Sequence, residues 1–324
     1  MSVLVSIKNF IFIIGFILFI GILSTVNIDQ VIALFTLIDL EIYFFAIILI
    51  IGLVILKGVK WKFVLLSQKV NISVFEATKY FCIGFFFSAF TPARSGDLVR
   101  AAYIKEKTNL SLAVSSVVLD RVIDVLILLI YGSCAAMLFF STHNSIIFPI
   151  EFLLVLILIV SFVFFLLFNE KYVKFFLRPI FNLVVPEKIK KKVATAINNF
   201  FSSVKLVLSN KKLFIISIVI GFAYWFFSIY FFYLLSEALK IGLSLEIIFL
   251  IYPLVSLADS LPISVSGFGT RDAVLIFFFS FLAFSSEQAV ALSLLFFIST
   301  YVLISIIGYI FFLLNPIDVK GLLN

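Results

Sequence analysis

Histidine and cysteine are almost absent from this chain of 324 residues, which contains one histidine, His143, and two cysteines, Cys82 and Cys134. A single histidine excludes a metal site built on several histidines. It also leaves no base for a serine triad, because His143 lies in a short polar loop. Both cysteines lie inside apolar runs, where isolated thiols are usually structural. We therefore expect no disulfide, no metal and no cofactor, and we assign no catalytic residue.

Charged residues are also scarce, at 13% of the chain, whereas 64% of the residues are hydrophobic and the mean hydropathy is +1.29. Soluble domains average about 45–50% apolar residues. The longest polar segment, 169–212, is too short for an independent domain of typical size. The ATP-binding pattern G-x-x-x-x-G-K-[ST] is absent, and we expect no nucleic-acid partner. The composition predicts an all-α polytopic membrane protein.

Apolar runs of about 20 residues are long enough to cross a membrane as helices. Two further apolar regions, 80–107 and 246–284, are interrupted by proline and glycine. A helix over 80–91 would measure only about 18 Å, too short for a hydrocarbon core of about 30 Å. Each broken region is therefore predicted to form a re-entrant helical hairpin. About six runs are predicted to span the membrane: 8–26, 40–56, 113–140, 147–168, 213–236 and 288–314.

The two broken regions contain related motifs, at 91–100 and 261–272, which lie about 170 residues apart. Each has a proline, then a glycine, and then an arginine four residues after the glycine. We predict an inverted-topology repeat, as in secondary transporters, within one transmembrane domain over 1–324. Repeat 1 covers about 40–140 and repeat 2 about 213–314. The predicted breaks are at Pro92, Gly96, Pro262, Gly267 and Gly269.

The distribution of lysines along the chain predicts its orientation in the membrane. Segment 57–79 contains five lysines and one acidic residue, and 169–212 contains ten basic and two acidic residues. The positive-inside rule then places both termini in the cytoplasm. We expect the membrane that the chain spans to be the plasma membrane. The other loops together contain one lysine, Lys240, and no arginine. These loops are 27–39, 141–146 and 237–245.

Residues 186–208 have clean helical amphipathicity and four lysines near their start. The pattern predicts a helix in the cytoplasmic interface that is attracted to anionic lipid. An ordinary helix within a positively charged cytoplasmic loop fits the same pattern.

Four of the five arginines lie in or beside apolar segments, whereas nearly all lysines lie in cytoplasmic loops or at their edges. Arginine presents a rigid fork of donors that fits phosphate or carboxylate, and at membrane depth it normally faces a cavity or a partner. Ion pairs that hold the broken helices in place are the alternative. The candidate substrate-binding residues are Arg94, Asp97, Arg100, Asp120, Arg121, Asp124, Asp259, Arg271 and Asp272.

Two details refine this expectation. The spacing of Asp120, Arg121 and Asp124 on one helix predicts that the two aspartates offset the charge of Arg121. Helix N-termini just after Gly96 and Gly269 would add N–H donors for phosphate. Hydroxyl groups near the breaks either satisfy freed backbone groups or contact a headgroup; they belong to Thr91, Ser95, Ser264 and Ser266.

Residues 90–126 and 261–274 together resemble the transmembrane flippase-like region of lysylphosphatidylglycerol synthases and their stand-alone relatives. The resemblance covers most of the chain. It implies that the chain moves a phospholipid between leaflets. No aminoacyl-transferase domain is present in these 324 residues, so we expect no lipid aminoacylation by them. The family pattern matches at Pro92, Gly96, Asp97, Arg100, Asp120, Arg121, Pro262, Gly267, Gly269 and Arg271, with Asp272 conservatively replacing another acidic residue.

The sequence therefore favours a lipid translocator, whose substrate is a membrane lipid or a polyprenyl-phosphate-linked molecule. Two other functions fit it. One is an accessory membrane subunit that docks a separate soluble or membrane-bound synthase, such as a glycosyltransferase, through 169–212. The other is an integral-membrane enzyme acting on a polyprenyl phosphate, which the scarcity of histidine disfavours. Co-purification of an enzyme would favour the first, and chemical turnover in detergent the second.

Overall fold

The computed structural model describes residues 20–22, 24–143, 158, 162, 170–172, 187–260 and 266–317, and the regular structure of these residues is helical. Three helical segments among them are long and apolar enough to cross a membrane: Leu40–Ser67, Lys211–Ala238 and Ser286–Leu314. The predicted runs 8–26 and 147–168 lie largely outside the described residues. The count of six spans and the re-entrant placement of the hairpins therefore stay predictions.

The helices differ from the predicted runs mainly at their ends. The run predicted at 40–56 continues to Ser67, and residues 92–98 form a 3₁₀ helix. In chain order the helices are α1 (Ile28–Thr36), α2 (Leu40–Ser67), α3 (Val74–Ala89), the 3₁₀ helix (Pro92–Leu98), α4 (Val99–Ala102), α5 (Leu110–His143), α6 (Glu187–Ser209), α7 (Lys211–Ala238), α8 (Leu245–Ser260), α9 (Thr270–Phe281), α10 (Ser286–Phe297), a π-helical turn (Ile298–Val302) and α11 (Leu303–Leu314).

Two pairs of helices, with one member of each pair in each half of the chain, have equal lengths. Helices α2 and α7 both contain 28 residues, and α3 and α8 both contain 16. Residue numbers in the second half exceed those in the first by 171, as 211 exceeds 40 and 245 exceeds 74. The same offset relates Arg100 to Arg271. The motif similarity seen in the sequence thus extends to the lengths and spacing of the two helices before each motif.

The turns after α2 and α7 repeat the same capping geometry. Lys69 and Lys240, again 171 positions apart, both have a left-handed backbone, with φ of 64° and 54°. The N–H of Val70 donates to the carbonyl of Leu65 at 2.9 Å, and the equivalent bond from Ile241 to Ser236 is 3.1 Å. This six-to-one bond is the Schellman motif, in which a left-handed residue satisfies the last carbonyls of a helix.

Helices α2 and α7 run antiparallel along each other. The N–H of Asp39, just before α2, donates to the carbonyl of Ala238, the last residue of α7, at 2.8 Å. Further along, the Lys57 ammonium lies 3.9 Å from the centroid of the Tyr224 ring. These two equivalent helices therefore point in opposite directions.

The first broken region doubles back on itself. Thr91 has an extended backbone, with φ of −124° and ψ of 137°, as expected for the residue before a proline. The 3₁₀ helix then reverses the chain, and Tyr103 stacks on Tyr80 with ring centroids 4.8 Å apart. Lys107 reaches Glu76 at 2.8 Å. The segment from α3 to the end of the turn before α5 is called the first hairpin below.

The second broken region also forms a pair of packed helices, α8 and α9, called the second hairpin. Its predicted break at Pro262 lies outside the described residues, whereas Gly267 and Gly269 have positive φ angles of 77° and 81°. The long helix after each hairpin packs on the other half: α5 packs on α8, and α11 packs on α3. The two halves are thereby interleaved.

Helix α6 matches the amphipathic segment predicted at 186–208 to within one residue. Its apolar face packs on protein: Val204 and Val207 are buried in a cluster with Val64 of α2 and Ile123 of α5. Helical amphipathicity alone did not distinguish this docking from the predicted position in the lipid interface.

Candidate functional site

The tips of the two hairpins meet. The Arg94 guanidinium, in the first hairpin, lies 2.5 Å from Asp259 of the second and also contacts the Tyr301 hydroxyl. Tyr301 itself donates to Asp259 at 2.6 Å. Ser266 Oγ donates to the carbonyl of Ala89 at 2.8 Å, which joins the tips a second time. Because Tyr301 lies in the π-helical turn, an irregularity of the helix places its hydroxyl at this junction.

The backbone of Arg94 is left-handed, with φ of 52°. Residues other than glycine adopt this region rarely, and it occurs more often at functional sites, where surrounding contacts hold it. Here the ion pair with Asp259 and the cation–π contact with Tyr301, 5.4 Å from the ring centroid, hold the side chain across the junction.

Inside the first half, Arg100 is fully buried and bridges two carboxylates. It lies 3.1 Å from Asp97 and 2.8 Å from Asp120, and its guanidinium lies over the ring of Trp61. Arg121 Nε binds Asp97 at 2.7 Å. The expectation that Asp120 and Asp124 offset the charge of Arg121 is therefore corrected. Arg121 reaches across to the hairpin, because Asp97 lies closer to its fork than its own helical neighbours do.

The partners of Asp120 and Asp124 are two lysines that sequence reasoning missed. Lys60 Nζ lies 2.9 Å from Asp120 and 2.6 Å from Asp124, and Lys57 lies 2.6 Å from the other oxygen of Asp124. Both lysines belong to α2, which continues eleven residues beyond the predicted run at 40–56. They are therefore not charges of a cytoplasmic loop. Their spacing of three residues, between apolar neighbours and beside Trp61, was the signal available in the sequence.

Arg271 has the corresponding place in the second half. It is fully buried, lies 3.3 Å from Asp259, and donates from Nε to Ser293 at 2.8 Å. Ser293 in turn binds Asp272. Like Arg100, Arg271 lies near aromatic rings: its guanidinium carbon is 5.2 Å from the centroid of the Phe296 ring. The two equivalent arginines thus have equivalent surroundings, built from different residues.

The N–H donors and hydroxyls near the breaks are used by the protein. Asp272 accepts from the N–H of Gly269 at 2.8 Å, and Thr91 Oγ1 accepts from the N–H of Gly96 at 2.7 Å. The expected phosphate-binding helix N-termini after these glycines are therefore occupied. Thr91 and Ser266 satisfy backbone groups, whereas Ser95 lines the cavity described next. Ser264 lies outside the described residues.

A cavity of about 430 Å³ opens between the hairpin tip, α2, α5 and α7. Lys57, Arg94 and Arg121 line it, with the carboxylates of Asp97 and Asp124. The side chains of Arg121 and Arg94 are 30% and 26% exposed, against 8% for Lys57. Apolar and aromatic side chains complete the wall, among them Phe81, Phe85, Val118, Leu128 and Trp225.

The other predicted site residues lie behind this wall. Arg100, Asp120, Arg271 and Asp272 are fully buried, and Asp259 joins Arg94 to Arg271. Six cationic side chains and five carboxylates thus form the described ionic cluster, which leaves one net positive charge. They are Lys57, Lys60, Arg94, Arg100, Arg121 and Arg271, with Asp97, Asp120, Asp124, Asp259 and Asp272.

Two glycines make room for the carboxylates of this cluster. A Cβ atom on Gly84 would lie 2.8 Å from Asp97 Oδ1, and one on Gly267 would overlap Asp259. Gly267 also has a φ of 77°, which disfavours any residue with a Cβ. The positions of Asp97 and Asp259 therefore depend on the absence of a side chain next to them.

Comparison with known sequences adds to the geometry. A family model described as the lysylphosphatidylglycerol synthase TM region matches residues 2–308. The chain belongs to this family. This membership confirms the family resemblance that the two motifs indicated. It is consistent with a lipid-related role in a membrane.

Curated relatives of this family member cover between 70% and 99% of its length. The UPF0104 membrane protein MJ1595 of Methanocaldococcus jannaschii is 26% identical over 336 residues, which cover 99% of each chain. The UPF0104 membrane protein PH1989 of Pyrococcus horikoshii is 26% identical and covers 88% of this chain and 90% of its own. A second M. jannaschii protein, MJ1078, is 28% identical over 238 residues, covering 70% of this chain and 93% of its own. No solved structure matches the chain.

Proposed function

We propose that this chain moves a phosphate-bearing lipid, or a lipid-linked intermediate, between membrane leaflets. The observation that carries the proposal is the cavity beside the hairpin tips, into which Arg94 and Arg121 are partly exposed. Partly exposed guanidinium groups in an otherwise apolar enclosure suit the phosphate of a headgroup. The apolar walls suit the adjoining glycerol and tail segments.

The two matched halves supply a route for alternating access. Two pairs of their helices share lengths, α2 and α7 share a capping motif, and α2 runs antiparallel to α7. An inverted repeat of this kind lets one half rock against the other around a fixed central site. In this proposal the hairpins are re-entrant, and their meeting point lies near the middle of the membrane.

The proposal keeps both termini in the cytoplasm and the chain in the plasma membrane. With Lys57 and Lys60 assigned to the interior, the first cytoplasmic segment still has three lysines against one acidic residue, Glu76. The ten basic residues of 169–212 supply the larger bias and attract anionic lipid at the same face.

Reconstitution tests the transport directly. The purified full chain is placed in vesicles that contain a headgroup-labelled fluorescent phosphatidylglycerol, and an impermeant quencher reports the label in the outer leaflet over time. We expect inner-leaflet label to become accessible faster with the protein than in protein-free vesicles. The Arg121→Gln variant should lose most of this acceleration. Equal time courses with and without the wild-type protein would refute the proposal.

A further inference from the structure

Three carboxylates of the ionic cluster have the same kind of double pairing. Each is shared between one cation that faces the cavity and one cation that is fully buried behind it. The cavity-facing cations, called the outer cations below, are Lys57, Arg94 and Arg121. The buried ones, called the inner cations, are Lys60, Arg100 and Arg271.

The distances show the pairing at each carboxylate. Asp124 lies 2.6 Å from Lys57 and 2.6 Å from Lys60. Asp97 lies 2.7 Å from Arg121 and 3.1 Å from Arg100, and Asp259 lies 2.5 Å from Arg94 and 3.3 Å from Arg271. The pattern recurs in both halves of the chain, where the inner cations Arg100 and Arg271 correspond in sequence but their carboxylates, Asp97 and Asp259, do not.

Double pairing has an energetic consequence. Breaking a buried ion pair is costly mainly because it leaves a charge without a partner in a medium that solvates it poorly. Here an outer cation can turn from its carboxylate to a ligand in the cavity while the inner cation still neutralises that carboxylate. The ion pairs of the empty site can therefore be exchanged for contacts with a ligand at low cost.

Lys57 is the outer cation that neither the motifs nor the family pattern indicated. Besides Asp124 it contacts the faces of Tyr224 and Trp225, which also line the cavity. Its neighbour Lys60 binds both the carboxylate and the backbone carbonyl of Asp120, each at 2.9 Å. Lys60 therefore has contacts that hold it in place and that Lys57 lacks.

We propose that Lys57 joins Arg94 and Arg121 in a cradle of three exchangeable cations for a phosphate that carries one net negative charge and no amine. This proposal deepens the proposed function by naming the headgroup class and one more binding residue. One negative charge would neutralise the net positive charge of the cluster. A headgroup amine would cancel the charge of the phosphate and leave that net positive charge without a counterion.

A free phosphate ion shares this chemistry with a phosphodiester lipid. The apolar side chains in the cavity wall, such as Phe85 and Val118, favour the lipid, because they would gain contacts with its glycerol and tails. The test must therefore separate the two sources.

Thermal unfolding of the full chain in detergent provides the first measurement, with short-chain dihexanoyl phosphatidylglycerol, dihexanoyl phosphatidylethanolamine or inorganic phosphate added at equal concentration. Binding to the folded state raises the unfolding midpoint. We expect phosphatidylglycerol to raise it most. An equal effect of phosphatidylethanolamine would overturn the charge selection, and an equal effect of inorganic phosphate would overturn the lipid source.

Variants of Lys57 provide the second measurement. In Lys57→Gln the amide can still donate to Asp124, and Lys60 still neutralises it, so the variant should unfold close to the wild-type temperature. Its affinity for phosphatidylglycerol should fall about tenfold, the loss of roughly one charged contact. Lys57→Arg should retain most of the affinity, and Lys62→Gln, two residues beyond Lys60 on the same helix, should retain all of it.

The possible outcomes are distinct. Wild-type affinity in Lys57→Gln, or an equal loss in Lys62→Gln, would overturn the role of Lys57. Failure of both Lys57 variants to fold would also overturn it, since the proposal requires Asp124 to remain neutralised by Lys60. If phosphatidylglycerol binds through Lys57 but is not moved between leaflets, the proposed transport fails and this inference stands.

Discussion

Arg94 of the first hairpin binds Asp259 of the second at 2.5 Å, and this ion pair is the most direct link between the tips of the two hairpins. Its two ends are not equivalent. Asp259 also has Arg271 and Tyr301 as partners, whereas among the described carboxylates Arg94 pairs with Asp259 alone. Removing one end should therefore differ from removing the other.

The first prediction uses this difference. Arg94→Gln should lower lipid movement severely but leave the unfolding temperature nearly unchanged, because Arg271 and Tyr301 continue to neutralise and bind Asp259. Asp259→Asn should lower both, because it leaves Arg94 and Arg271 facing each other without a carboxylate. Thermal unfolding in detergent and the vesicle assay measure the two effects. Equal unfolding temperatures in the two variants would contradict the shared role of Asp259.

The second prediction concerns the inner cation Arg100. Arg100→Met keeps most of the side-chain volume but removes a fully buried charge from between Asp97 and Asp120. We expect a loss of roughly 3 kcal/mol, the low end for breaking a buried ion pair, because Arg121 and Lys60 still neutralise these aspartates. Transport should also be lost, since Arg121 would then be the only partner of Asp97.

Its control is Arg121→Met, in which an outer cation is removed and Asp97 keeps Arg100. We expect a smaller loss of stability and the same loss of transport. Denaturant unfolding in detergent measures both variants. If Arg121→Met were the more destabilised of the two, the distinction between inner and outer cations would be wrong.

The third prediction tests the glycines beside the carboxylates. Gly84→Ala would place a methyl group 2.8 Å from Asp97 Oδ1, and Gly267→Ala would place one against Asp259 at a positive φ angle. Both should reduce phosphatidylglycerol binding by displacing a carboxylate and its two cations. Gly52→Ala on α2 is the control, since no atom lies within 4 Å of its added methyl group. Unchanged binding in Gly84→Ala and Gly267→Ala would show that the carboxylate positions are not critical.

The fourth prediction concerns the docking of α6. Val207 is buried against α2 and α5, so Val207→Asp should destabilise the protein by at least about 2 kcal/mol through burial of an unpaired charge. Lys205, on the exposed side of the same helix, forms a surface pair with Glu170, and Lys205→Asp should change the stability by less than about 1 kcal/mol. Similar unfolding midpoints for the two variants would place α6 away from the helical core.

The sequence indicated the helical class, the two breaks and most of the ionic residues, because proline, glycine and intramembrane arginine are strong local signals. It did not indicate which charges pair. Arg121 binds Asp97 across a chain reversal, and Lys57 and Lys60 bind Asp124 from another helix, and such partners depend on tertiary packing.

The end of α2 shows why the lysines were misassigned. A hydropathy pattern ends a predicted membrane helix where a charge follows the long apolar run, here at Lys57, although the helix continues to Ser67. Buried lysines are tolerated in it because Asp120 and Asp124 neutralise them. Similarly, nothing in the sequence marks the π-helical turn that brings Tyr301 to Arg94.

The central claim is that the two halves face opposite sides of the membrane, so that one cavity can open to each leaflet in turn. Lys69 and Lys240 are exposed, equivalent residues with the same capping geometry, which makes them matched reporters. In a Cys134→Ser background that keeps only the buried Cys82, Lys69→Cys and Lys240→Cys are each labelled in intact cells with an impermeant thiol reagent. We predict that Lys240→Cys is labelled from outside and that Lys69→Cys is labelled only after the cells are opened. Labelling of both from the same side would contradict the account.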